Sequence, residues 1–326
     1  MLKIRTPKQN HQTYKPMNLS SPPMDTTVKS LVSKLASVSE RTRTEALCEL
    51  RLLSKNDADS RLLIADADDA VPLIAESLYS PAAVLQENAA AALLNISIAA
   101  KDRLMSSHGV LDALSHALRH PASPSVAQCA AATIFSLLTV ESFRPIIGHK
   151  RDIIFGLVEI VRSPGCAAQS IKDALRALFG VSLYPLNRAQ MVELGAVQAL
   201  FSLVVKDGRV GLVEDATAVI AQLAGCEDSW EVFKRALGVE VLMDILDNAT
   251  GSSNRTKENA VSALLNLVQF GGEVVANEVR GKMEERVMDG ILDVVENGSE
   301  KGKSKGLALL TVLNQRLETL SSQSEM

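Results

Sequence analysis

Aromatic residues are scarce. One Trp, three Tyr and seven Phe make up 3% of a chain that is 47% hydrophobic. A core built without them draws on Ala, Leu, Val and Ile, which suits close helix-on-helix packing and excludes an aromatic-rich sandwich of β-sheets. No apolar run reaches the roughly 18 residues of a membrane span. The N-terminus has no apolar h-region, so neither an integral membrane segment nor a signal peptide is expected. An excess of basic charge is also missing. Lys and Arg number 34 against 38 Asp and Glu, for a net charge of −4, which argues against nucleic acid as a partner. The four cysteines, Cys48, Cys129, Cys166 and Cys226, show no CxxC or other metal-like spacing. They read as reduced thiols of an intracellular protein. A cytoplasmic or nuclear location is the expectation, with peripheral membrane association through a partner or a basic tail left open.

Catalytic signatures are absent as well. There is no GxSxG, Walker-type loop or GxGxxG, so nucleophile and nucleotide chemistry have no anchor. His116 and His120 stand four apart with His108 nearby, but no Cys or acidic group completes a metal set. The pairs Asp68/Asp69, Glu227/Asp228 and Glu284/Glu285 fall at helix starts and loops, where carboxylates favour the helix dipole. The expectation is a chain that is not an enzyme and holds no cofactor or metal.

What is present is a repeat. Residues 1–27 stand apart as a tail expected to be disordered, carrying Lys3, Arg5, Lys8 and Lys15 among Pro and Ser, with Ser21 before Pro22 as a candidate phosphosite. Seven similar segments follow: RTEALCELRLLS, ENAAAALLNIS, QCAAATIFSLL, KDALRALFGVS, EDATAVIAQLA, ENAVSALLNLV and KSKGLALLTVL. A register position in each, Arg51, Asn95, Ser136, Gly180, Gln222, Asn266 and Thr311, gives intervals of 44, 41, 44, 42, 44 and 45. That period lies in the armadillo/HEAT range of roughly 40–47 residues. Counting from this position, +1 is apolar in all seven (Leu52, Ile96, Leu137, Val181, Leu223, Leu267, Val312), and −2 in six, with Glu49 the exception. Position −6 is Ala in five repeats: Ala89, Ala130, Ala174, Ala216 and Ala260. These steps of three and four share one helical face, and the alanines mark a close approach of a neighbouring helix.

The stripe at −8, −4 and 0 is polar or small. Position −8 is Arg43, Glu87, Gln128, Lys172, Glu214, Glu258 or Lys303, and Arg176 stands out among small residues at −4. Stacked along a solenoid, such a stripe forms a ribbon on which extended partners lie. The candidate binding residues are therefore Arg51, Glu87, Asn95, Gln128, Ser136, Lys172, Arg176, Glu214, Gln222, Glu258 and Asn266. Asn95, Asn266 and Gln222 carry amides that offer donor and acceptor together. They suit either the backbone of a bound peptide or that of the adjacent repeat. A second helical pattern precedes each segment, with Gly109, Gly195, Gly238 and Gly290 expected at sharp turns. The sixth repeat is irregular, holding an expected longer loop or extended helix between Asn266 and Gly290. Residues 321–326 are expected to form a short flexible tail.

TEALCELRLLSKNDADSRLLIADADDAVPLIAESL followed by VLQENAAAALLNISI resembles the opening repeats of the plant U-box/armadillo proteins. The similarity continues through NRAQMVELGAVQALFSLV and TKENAVSALLNLV, spanning residues 28–320. It implies an all-α, right-handed armadillo superhelical solenoid of about seven repeats. In that family a U-box recruits a ubiquitin-charged conjugating enzyme while the armadillo array selects substrates or receptor kinases. The stretch ahead of the array is too short for a U-box, so an armadillo-only member is expected. Trp230 lies in the GCEDSWEVF turn, away from the ribbon, so the Trp/Asn ladder of nuclear-import adaptors is not reproduced. The expected function is a monomeric, non-enzymatic protein-binding scaffold in signalling or ubiquitin-linked regulation. Membership of a U-box ubiquitin-ligase system is the alternative, and an import-like adaptor a third.

Overall fold

The computed structural model describes the backbone of residues 24–324, with side chains to residue 314 other than Asp228. The basic residues of the tail, His11 and Ser21 lie outside the described residues. Every long element among the described residues is helical. The seven repeated segments are seven long helices: α1 (Glu40–Asn56), α2 (Ala83–Ala99), α3 (Pro124–Leu138), α4 (Ala168–Ser182), α5 (Val210–Leu223), α6 (Asn254–Gly281) and α7 (Glu300–Ser324). Each packs on the next in sequence, so together they form one continuous layer. Between them, short helices lead into a second layer: Ala70–Glu76, Val110–Arg119, Arg151–Arg162, Ala196–Lys206, Gly238–Leu246 and Glu285–Asn297. The apolar faces of both layers meet in one core that runs the length of the array.

The alanine column does what its size allows. Ala89, Ala130, Ala174, Ala216 and Ala260 are fully buried, and Ala46 is 1% exposed. Ala46 corrects the register of the first repeat. Leu50 is buried while Leu52 is 44% exposed, so Leu52 and not Arg51 occupies the register position. The first interval becomes 43, the alanines become six, and Glu49 ceases to be an exception. Leu52 is exposed because side chains at this position face the preceding repeat, and among the described residues no long helix of the ribbon precedes α1.

Helix ends follow local chemistry. The Ser39 hydroxyl accepts from the Thr42 N–H at the start of α1, and that of Ser253 from the Thr256 N–H at the start of α6. Pro124 opens α3. Two of the four expected turn glycines behave as expected, Gly109 and Gly195 each having φ +81°. The other two do not. Leu237, at φ +52°, takes the left-handed turn itself, and Gly238 lies inside the helix, where a Cβ would stand 2.8 Å from the Phe201 ring. Gly290 sits in the middle of Glu285–Asn297, against the backbone of Leu246.

The ends also differ from the expected boundaries. A helix, Met24–Leu35, begins within the stretch assigned to the tail, and α7 continues to Ser324. The irregular sixth repeat is an extended helix, with a break at Gly272, whose φ of +66° and ψ of −150° suit only glycine.

Candidate functional site

The ribbon is made by α1 to α7, and its polar residues at two register positions of the central repeats are half-buried. Asn95, Ser136, Gln222 and Asn266 at the register position, and Glu87, Gln128, Lys172, Glu214 and Glu258 at −8, all have this character, whereas Arg176 is exposed.

The amides resolve one question left open by the sequence. Asn95 Nδ2 donates to the Arg51 carbonyl at 3.2 Å and to Ser54 Oγ at 3.1 Å. Asn266 Nδ2 donates to the Ala221 carbonyl at 2.8 Å. In the corrected register both acceptors stand at −1 of the preceding repeat, so both asparagines tie one repeat to the last. Ser136 Oγ does similar work, donating to the Ser97 carbonyl at 3.0 Å. Gln222 uses its oxygen to accept from Arg188 Nη2 at 2.9 Å. Replacing Asn266 by Ala is expected to cost about 1–2 kcal/mol by orphaning the Ala221 carbonyl. Hydrogen exchange in α5 and α6 would register the loss, and unchanged protection there would refute the assignment.

Two of the carboxylates at −8 are likewise engaged. Glu214 Oε1 accepts from Ser253 Oγ at 2.7 Å, and Glu258 accepts from both the N–H and the hydroxyl of Ser299 at 2.6 Å. Ser253 and Ser299 precede α6 and α7, so each carboxylate secures the residue that opens the next long helix. Asn259, which the sequence reading did not single out, donates to the Glu214 carbonyl and to Thr217 Oγ1 at 3.1 Å.

Towards the N-terminal end, charges of both signs gather around Cys129. Burial pushes this thiol up, and Asp173 and Glu87 add to the effect while Arg51 opposes it. Asp173 is 6% exposed and accepts from Gln169 at 3.0 Å, with Gln128 at 3.5 Å. Arg51 keeps a buried Nε without a hydrogen-bond partner.

The second half of the ribbon is different in kind. Phe135, Leu175, Arg176, Phe179, Asp215, Ala218 and Arg255, from four successive long helices, line a cavity of about 190 Å³. The Arg176 guanidinium lies 5.8 Å over the Phe135 ring. Arg255 approaches Glu214 at 3.9 Å and Asp215 at 4.0 Å, beyond hydrogen-bond length. Of these residues only Arg176 was singled out by the ribbon pattern. Phe135 and Phe179 precede the register position by one, and Arg255 precedes its repeat's −8 position by three.

A further recurrence went unread. Arg61, Arg144 and Arg188 donate through Nε to the carbonyls of Ser54, Leu138 and Ser182, at or beside the ends of α1, α3 and α4. Arg103 continues their spacing but pairs with Asp66 at 2.8 Å. Near the corresponding place in the fifth repeat stands Trp230, which packs against the core. The 41–44-residue recurrence of these arginines was available in the sequence. The two histidines continue a run of tilted ring contacts, Tyr79–His116–His120, with centroids 4.7 and 5.1 Å apart. Burial and His120 hold the His116 imidazole below its ordinary value.

The family model for the plant U-box protein ARM repeat region matches residues 27–319. The chain belongs to this family. U-box domain-containing protein 18 of Arabidopsis thaliana is 28% identical over 300 residues, covering 91% of this chain and 42% of the relative. U-box domain-containing protein 1 of Medicago truncatula is 31% identical over 291 residues, covering 89% and 41%. The ARM repeat region thus spans about two fifths of the length of these relatives. Among solved structures, an engineered protein superposes with a TM-score of 0.61 at 23% identity, covering 74% of this chain and 97% of its own. A designed armadillo repeat protein gives 0.51 at 17% identity, covering 88% and 99%. The second likeness, together with the family match, establishes the armadillo fold of the ARM repeat region.

Proposed function

We propose that the ARM repeat region acts by binding, and that its ribbon of long helices holds an extended segment of a partner protein. The observation that carries this reading is the ribbon's uneven use of polar groups. Asn95, Asn266, Glu214 and Glu258 are spent on holding repeats together, while Arg176 and Arg255 make no hydrogen bond with the described residues. Groups that contribute little to the fold remain available to a ligand. The proposed scaffold works as a monomer in the cytoplasm or nucleus, and its role lies in signalling or ubiquitin-linked regulation.

Charge reversal at Lys172 and Arg176 is expected to remove partners from affinity capture analysed by mass spectrometry. Reversal of Arg119, paired with Asp152 in the other layer, is expected to leave them in place. Equal recovery of every partner by both variants would refute ribbon binding.

A second reading, that the chain serves within a ubiquitin-ligase system, is favoured by the names of its U-box domain-containing relatives. Here the array would select the protein to be modified. Purified chain mixed with activating enzyme, conjugating enzyme, ubiquitin and ATP is expected to yield no ubiquitin conjugates by itself. Conjugates dependent on the chain would overturn the non-enzymatic reading.

A further inference from the structure

The cavity between α3 and α6 allows the partner's chemistry to be specified, an inference that rests on ribbon binding. Most other arginines among the described residues are engaged. Arg61, Arg144 and Arg188 bond main-chain carbonyls, and Arg119, Arg151 and Arg286 pair with carboxylates at 2.7 to 3.0 Å. Arg176 has neither kind of partner among the described residues and is exposed above the Phe135 ring. The Arg255 side chain is 63% exposed, and its two carboxylate neighbours stand at 3.9 and 4.0 Å. Two guanidinium forks with no acceptor at hydrogen-bond distance among the described residues therefore line one cavity. Such forks match a carboxylate in geometry as well as charge.

The remaining walls refine the match. Phe135, Leu175 and Phe179 are apolar, so the cavity also receives hydrocarbon or ring surface. Asp215 shares the cavity, with Oδ2 buried and unpaired. It offsets part of the positive charge and competes for Arg255 without bonding it. Among the lining residues, Arg176 and Arg255 against Asp215 leave one net positive charge. This balance selects a single carboxylate in preference to an acidic run. A basic side chain would meet both guanidinium groups.

We propose that the cavity receives an acidic side chain of an extended partner segment, adjacent to a large apolar residue. The carboxylate is bound by Arg176 and Arg255, and the apolar side chain covers Phe135 and Phe179. Asp215 is an internal competitor whose removal tightens binding.

The test selects random twelve-residue peptides displayed on phage against the full chain. Enriched peptides are expected to share Glu or Asp beside an aromatic or Leu residue. Synthetic versions are expected to bind about tenfold more weakly or worse to R176Q/R255Q, and several-fold more tightly to D215N. Both arginines are exposed, so circular dichroism should show the double variant folded, and the D215N gain cannot come from misfolding. Ribbon-binding peptides without an acidic residue overturn the proposal and leave ribbon binding standing. So do acidic peptides indifferent to R176Q/R255Q or weakened by D215N. Failure to enrich any peptide, or binding insensitive to every ribbon substitution, overturns both.

Discussion

Gly290→Ala is expected to destabilise the C-terminal repeats by about 3 kcal/mol, the upper range of overpacking costs. A Cβ at this position would stand 1.8 Å from the Leu246 carbonyl oxygen and 2.7 Å from its carbon. Both belong to main chain at the end of the helix Gly238–Leu246, where Leu246 is fully buried, so no side-chain rotation relieves the overlap. The helices Gly238–Leu246 and Glu285–Asn297 would have to separate, opening core around Ile291 and Leu246. Gly211→Ala provides the contrast. Gly211 lies in the first turn of α5 with nothing within 4 Å of its missing Cβ, so the methyl group is expected to be neutral or to stabilise by up to about 1 kcal/mol. The denaturant midpoint should fall for Gly290→Ala and hold or rise for Gly211→Ala. A Gly290→Ala midpoint equal to that of the wild type would refute the backbone contact.

The second large effect concerns Lys257, whose side chain is only 8% exposed. Its Nζ donates to Asp293 Oδ2 at 2.9 Å and to Asn248 Oδ1 at 2.5 Å, joining α6 to the helix Glu285–Asn297. Asp293→Ala leaves this ammonium with one neutral partner. The expected cost is about 2 kcal/mol, below the 3–5 of a fully buried pair because Asp293 is 30% exposed. The double variant Lys257→Met/Asp293→Leu should lose less than Asp293→Ala, since no unpaired charge remains. A larger loss would show that the pair stabilises more than it costs to bury. Acid provides a separate readout. Hydrogen bonds from Lys257 first, and from Asn297 second, hold the Asp293 carboxyl below its ordinary range. Its contribution is therefore complete above the ordinary value of about 3.9 and is lost as pH falls through the lower folded value. The stability gap between wild type and Asp293→Asn should close over that window.

The seven long helices and their period were legible because apolar side chains recur at steps of three and four, a pattern fixed by core packing. The one-residue slip in α1 has a simple cause. Leu52 and Leu53 are adjacent, so apolar content alone allows either to stand at +1. Burial decides between them, and Ala46 is the sequence mark that agrees with it. Gly290 was misplaced because a glycine needed for a turn and one needed for a close crossing look the same in a string of letters. The polar stripe was found, but its division of labour was not. An amide that bonds the previous repeat and one free for a ligand have the same composition, and only the neighbour's position separates them. The cavity of Arg176 and Arg255 escaped for a related reason. Its residues come from four helices at different register positions, and no single periodicity gathers them.

The carboxylates of Glu214 and Glu258 each secure the serine that opens the following long helix, and the amides of Asn95 and Asn266 each reach back to the preceding one. These links give the array a direction. A later helix has its opening serine held by a carboxylate already supplied by an earlier one, while the earlier helix gains from the later only a donor for one carbonyl near its end. During synthesis the N-terminal repeats emerge first, so each new long helix meets a finished template. Shortening the array from its C-terminal end leaves spare acceptors and donors on a surviving edge, whereas shortening it from the other end strips the next helix of its start.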